Sequence, residues 1–270
     1  MTIRLTLCAL GALLLSVTNA FATWSVIALD RASGTVVVSS ATCVPQQRLE
    51  SFPAKDLRDI QAIVVPGIGV AAAQAGVDRT RANQKLIFAE LQKGTAPADI
   101  IAKLKEDPAI ETRQFGILDM KGRSAGYSGA KNQASSLDRQ GQVQGTEIFY
   151  SIQGNILKSD EVVEAAVAAF SSAKGALTDR VMAAMEAADA KGGDSRCTCD
   201  TEPKLNAPCD GKTSHVAYIL RADKSDKNGE SFNDGRYAMY VSVTDKDITP
   251  SENANPVRTL RMRYDAQQKK

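Results

Sequence analysis

Thr23 has the most chemistry to offer, provided that it opens the mature chain. A terminal threonine carries a hydroxyl nucleophile and a free α-amine that can take its proton, so nucleophile and base arrive on one residue. The residues ahead of it suggest how it becomes terminal. Arg4 and the apolar run from Leu5 to Val17 have the form of an export signal, and Ala20 and Ala22 occupy the small-residue positions of an A-x-A cleavage site. A cut after Ala22 frees the Thr23 amine. A cut after Ala20 leaves Phe21 in front and removes that amine from Thr23. Unprocessed, Thr23 is simply the first residue of a strand.

Other residues can serve such a nucleophile. Asp30, at the end of the strand that Thr23 opens, can tune the amine electrostatically or cap the following turn. Gln153, Gly154 and Asn155 follow an apolar strand, where a side-chain amide or a glycine N–H can stabilise an oxyanion; the other reading is a tight strand-to-helix turn. Asp194 and Arg196, behind a Gly-Gly break, can bind a substrate carboxylate or hold the N-terminus, or form a surface ion pair of little weight. The Gln74 amide can reach a ligand or satisfy the core. His215 is the only histidine, and no G-x-S-x-G elbow accompanies it, so a serine triad has little support.

Cysteine usage agrees with export. Cys8 lies in the signal, which leaves Cys43, Cys197, Cys199 and Cys209, an even set that favours disulfides. Cys197 and Cys199 are too close to bond each other comfortably, so each looks to Cys43 or Cys209, in either arrangement. A second C-x-x-C or H-x-H element is missing, so no metal or other cofactor is called for.

These residues need elements to position them. Trp24–Leu29 and Thr35–Ser40 read as two strands around the Arg31–Gly34 turn. The stretch 44–58 reads as polar and irregular, 60–65 and 68–74 as strands, 80–91 as a helix, and Pro97–Leu104 as a short helix started by its proline. Residues 113–119 and 123–128 form another hairpin, 133–144 a polar loop, and 147–152 a strand. Two helices follow, the first capped by Ser159, and then strands at 215–221 and 237–243 and a closing helix at 257–264. Hairpins and helix pairs arrive in blocks rather than in βαβ alternation, which predicts an α+β fold with antiparallel sheets and segregated helices. A four-layer αββα sandwich fits this order, as does a simpler α+β domain.

The chain has 270 residues, with 43% hydrophobic and 24% charged, ordinary globular values. The formal charge of +2 falls to +1 when Arg4 leaves with the signal. Such a balance asks for neither nucleic acid nor an acidic membrane surface.

The opening Thr23-Trp24-Ser25-Val26-Ile27-Ala28-Leu29-Asp30 resembles that of a family of N-terminal-nucleophile (Ntn) hydrolases, number 1028 among the domains of unknown function. Gly69-Val70 leading to Ala73-Gln74-Ala75, Arg113-Gln114-Phe115-Gly116, Ser151–Leu157 and Gly192-Gly193-Asp194-Ser195-Arg196 match in the family's order. The resemblance implies a single Ntn-hydrolase-like αββα domain over 23–270 behind a signal over 1–22, and suggests hydrolysis of an amide bond. The expected protein is a periplasmic or secreted amidohydrolase acting on a small-molecule or peptide amide, free of the membrane once processed, with room for a homo-oligomer. The alternative is a non-catalytic binding protein on the same fold. Residues 43–58 and the cysteine-rich 197–211 depart from the family pattern, and irregular loops of this kind usually line the mouth of a site.

Overall fold

The computed structural model describes residues 23–52 and 54–269. The segment read as an export signal, with its expected cleavage point, lies outside the described residues.

The first strand, β1 (Thr23–Asp30), turns back into β2 (Thr35–Thr42) as its composition predicts. Asp30 holds the turn: its carboxylate accepts the Ala32 N–H at 3.0 Å and the Ser33 hydroxyl at 2.8 Å. Two short helices follow, α1 (Gln46–Leu49) and α2 (Leu57–Gln61), where an irregular stretch was expected. Asp56 caps α2 by accepting the Asp59 N–H at 2.8 Å, so the apolar run starting at Ile60 begins as helix and becomes β3 (Ala62–Val65) only afterwards.

Next come β4 (Gly69–Ala75), α3 (Ala82–Gln92), α4 (Pro97–Leu104) and the hairpin β5 (Arg113–Asp119) with β6 (Ser124–Ser128). The polar stretch expected as a loop contains β7 (Leu137–Gln142), an edge strand held by its ladder to β8 (Ile148–Asn155). Because β8 has β7 on one side and β1 on the other, it runs on to Asn155. Gln153–Asn155 are therefore strand residues and not a turn. Then come α5 (Glu161–Ser172) and α6 (Leu177–Ala190); at the start of α5 the cap position falls on Asp160, with no side-chain bond, rather than on Ser159. The chain ends with β9 (Val216–Ala222), β10 (Met239–Thr244) and α7 (Pro256–Gln268), the last capped by Asn255.

The strands form two antiparallel sheets, one in the order β10-β9-β2-β1-β8-β7 and the other β3-β4-β5-β6. Three buried clusters separate four layers. One packs Trp24, Val26 and Ala28 against α5, α6 and α7. The middle one packs Ile27 and Leu29 against Val64, Val70 and Leu118 of the second sheet. The third covers the outer face of that sheet with α3 and α4. Strand side chains alternate between faces, so β1 sends Thr23, Ser25, Ile27 and Leu29 toward the second sheet and Trp24, Val26 and Ala28 toward the helices. Among the described residues no helix is long and apolar enough to cross a membrane.

Candidate functional site

Thr23 begins an inner strand, paired on one side with Thr42 and on the other with Asn155. It is 2% exposed, and its hydroxyl donates to the Thr42 hydroxyl at 3.2 Å. Residues directly opposite in a ladder share a face, so Thr42 and Asn155 flank Thr23 and Gln153 flanks Ser25 on the side facing the second sheet. On the other side, the Trp24 ring lies so close to Gly193 that a Cβ there would come within 2.6 Å of it.

Beneath Thr23 the two sheets are joined by amides. Gln74 Nε2 donates to the Thr23 carbonyl at 2.9 Å and to Gln114 Oε1 at 2.7 Å. Gln74 Oε1 accepts the Ser25 hydroxyl and Gln61 Nε2, both at 2.7 Å. Gln61 Oε1 accepts the Tyr218 hydroxyl at 3.0 Å, and burial holds that phenol in its protonated form by pushing its pKa well up. Gln114 Nε2 reaches back to the Gly154 carbonyl at 2.8 Å. Gln153 Nε2 donates to the Ala72 carbonyl at 3.3 Å, while its Oε1 is buried without a partner. Gln74 thus uses both donors and both acceptor positions inside the protein, and acts as a brace for Thr23.

A strap passes the same end of the sheet. Asp194 bridges to Leu157 just beyond β8, and its buried carboxylate accepts the Cys43 N–H at 3.0 Å just beyond β2. The Arg196 guanidinium donates to that carboxylate at 3.0 and 2.8 Å. Burial pushes the Asp194 carboxyl pKa up, against the pull of Arg196. Arg196 remains 39% exposed, whereas Asp194 is 0% exposed, so the pair is a structural anchor rather than a surface contact. A disulfide between Cys43 and Cys197 locks the strap to β2, and a second joins Cys199 to Cys209. His215 donates its backbone N–H to the Thr42 carbonyl at 2.7 Å. Its burial, with the positive charges of Lys212 and Arg196, lowers the imidazole pKa to about 4, so it is neutral at pH 7. Cys43, Cys197 and His215 bring their ligand atoms within 4.8 Å of one another, but in the disulfide neither sulfur can act as a thiolate ligand.

Thr23 and Thr42 border a small, nearly filled cleft with room for about one water molecule. Leu49 and Leu57, from the segment expected to be irregular, and Ile60, from the run expected as a strand, wall it together with Val77.

Of the residues singled out in the sequence, Thr23, Gln74, Gln153, Gly154 and Asn155 meet at this end of the sheet, with Asp194 and Arg196 adjoining. Asp30 does not. It ends the strand that Thr23 begins, seven residue steps or roughly 23 Å away, and its carboxylate serves the hairpin turn. Tuning of the Thr23 amine by Asp30 is therefore excluded by distance. Thr42, Gln61, Gln114 and Tyr218 were missed. Their one trace in the sequence is the glutamine near one end of each of two strands, Gln74 and Gln114, which pair directly.

Residues 23–226 match the model of the Family of unknown function (DUF1028), so the match opens on Thr23 itself. A crystal structure of a Silicibacter pomeroyi protein from that same family model is similar over 92% of this chain and 89% of its own, with a TM-score of 0.64 and 18% identity. That identity speaks for the fold alone. No curated protein matches the chain.

Proposed function

Because the chain belongs to the DUF1028 family, whose function is unknown, we propose an activity from its site: an exported amidohydrolase of Ntn type, with Thr23 as nucleophile once the preceding residues are removed. The carrying observation is the place of Thr23. It is the first residue of a central strand, it faces a cleft, and Asn155 and Thr42 stand directly opposite it. The two helix-covered sheets are the layering an Ntn-hydrolase-like fold would have. The two disulfides favour an oxidising compartment, periplasmic or secreted.

In this reading the Thr23 hydroxyl oxygen bonds to the amide carbonyl carbon while its proton passes to the Thr23 amine. A model α-amine titrates near ~7.7–8.0, which suits it as a base close to neutral pH. The Asn155 carboxamide, on the adjoining strand and the same face, is the candidate donor to the oxyanion. The C–N bond then breaks, the amine proton goes to the leaving nitrogen, and a water hydrolyses the resulting ester. Gln74 holds the Thr23 carbonyl, and Asp194 holds the strap beside the strand end; both position rather than react.

The test uses a chain beginning at Thr23 and an electrophile that acylates N-terminal threonines, such as a β-lactone. Stoichiometric labelling at Thr23 is expected, retained in part by Thr23→Ser and lost in Thr23→Ala with an unchanged circular dichroism spectrum. A chain that keeps residues ahead of Thr23 should not label. Labelling that ignores processing, or its absence in the processed chain, overturns the reading in favour of a non-catalytic binding protein.

A further inference from the structure

The disulfide that locks the strap lies against the one histidine. Cys43 and His215 stand one step beyond the Thr42–Val216 pair of the β2–β9 ladder, so the sheet fixes both. Cys197 reaches them on the strap, just past the buried Asp194. All three residues are buried, and a ligand atom of each lies within 4.8 Å of the others. A tetrahedral zinc ion with ligands at ~2.0–2.3 Å holds them roughly 3.5–3.8 Å apart. Small side-chain movements would bring these three onto one ion once the S–S bond is open.

The imidazole is oriented as a metal-binding one is. A hydrogen bond at the Glu202 backbone holds the ring, while Nδ1 is buried with no hydrogen-bond partner among the described residues. Metal-binding histidines are held in this way, with one ring nitrogen on a second partner and the other on the ion. The ring is neutral at pH 7, and neutral imidazole is the form that binds metal. The positive charges of Lys212 and Arg196 act on this site, and such charges favour thiolate over thiol at neighbouring cysteines. Two thiolates and Zn²⁺ sum to zero charge, so the buried site would gain no unpaired ion. Access comes from a polar cavity of about 350 Å³, which Cys197 lines together with Asp194, Thr198, Lys212 and Thr213. It has room for small reagents and for a water as the fourth ligand.

We propose that Cys43, Cys197 and His215 form a zinc site when their disulfide is reduced, so that the strap is held to β2 by either an S–S bond or a metal ion. A dithiol supplies two electrons and two protons to Cys43–Cys197 and leaves as its own disulfide. Zn²⁺ then displaces the two thiol protons and bonds to both sulfurs and to His215 Nδ1. Soft thiolates with an imidazole suit this ion. The site does not depend on Thr23 being a nucleophile.

The experiment uses the full chain carrying Cys8→Ser, Cys199→Ser and Cys209→Ser, which leaves Cys43 and Cys197 as its cysteines. The chain is reduced with a phosphine, which is then removed without air. Co²⁺ should bind once per reduced chain, with thiolate-to-cobalt charge transfer and the visible bands of tetrahedral cobalt, and Zn²⁺ should bleach both. The oxidised chain should show neither. His215→Ala should weaken binding at least tenfold, since losing a ligand should cost no less than the roughly 10–100-fold of losing an outer partner. Zn²⁺ should also raise the urea midpoint of the reduced chain and leave that of the oxidised chain unchanged. That readout holds even where the reduced chain unfolds without metal. A reduced chain whose midpoint Zn²⁺ does not move overturns the site. So does cobalt binding that is equal with and without His215, or equal in the oxidised chain.

Discussion

The two ends of β1 are built from the same alternation and differ in almost everything else. At the Asp30 end the inward side chains, Ile27 and Leu29, join Val64, Val70 and Leu118 in a dry layer, and the strand closes in a solvent-facing turn. At the Thr23 end the same face carries Thr23 and Ser25, opposite Asn155 and Gln153, over a lattice of Gln61, Gln74 and Gln114. Apolar groups there would pack with no demand on direction. Buried amides are tolerated only when nearly every donor and acceptor meets a partner, since one left unmet costs ~1–3 kcal/mol. The directional half therefore fixes where the Thr23 carbonyl lies, while the apolar half supplies non-directional burial. Position at the candidate nucleophile comes from hydrogen bonds, and cohesion comes from the other end.

The largest test of this contrast concerns the disulfides. Cys43–Cys197 joins residues 154 apart and locks the strap at the Thr23 end, whereas Cys199–Cys209 closes a separation of 10. In the chain-entropy account, replacing the first pair by alanine costs about 5 kcal/mol and the second about 3 kcal/mol. Urea unfolding of each variant should give that order, and only the first should also slow labelling of Thr23. The reverse order would mean that the strap does not anchor this end.

Gln74→Leu comes next. It keeps about the size of the side chain but removes the partner of the Ser25 hydroxyl, the Gln61 amide and Gln114 Oε1, and one hydrogen bond of the Thr23 carbonyl. A loss of about 2–4 kcal/mol in unfolding free energy is expected, together with slower labelling of Thr23. A neutral or stabilising result would show that the lattice is slack and that the two halves do not differ in the way described.

The smallest effect belongs to Asp30→Ala. It removes two hydrogen bonds at an exposed turn and should cost about 1 kcal/mol or less. Labelling of Thr23 should be unchanged. A labelling rate that falls with Asp30 would mean that the two ends communicate along the strand.

Part of this was legible in the residues. The hairpin of β1 and β2, the helix begun by Pro97 and the β5–β6 hairpin depend on neighbours within a few positions, where periodicity and turn chemistry act. The edge strand β7 was not legible, because Leu-Asp-Arg-Gln-Gly-Gln has no strand preference of its own and is ordered by its ladder to β8. The start of β3 was misplaced because Asp56 caps a helix through Ile60, a competition between a local cap and an apolar run.

By itself, then, the sequence determined that Ala20-Phe21-Ala22 precedes Thr23, that four cysteines follow it, and that hairpins and helix pairs are grouped in blocks. Only the tertiary structure decided which cysteines meet, that Gln153 and Asn155 flank β1 as strand residues, that Asp30 faces away from the site, and that three glutamines from α2, β4 and β5 converge beneath Thr23. The first set rests on near-neighbour chemistry. The second rests on register between strands and on packing of two sheets, where residues 13 to 154 positions apart meet only after the whole chain has chosen its faces.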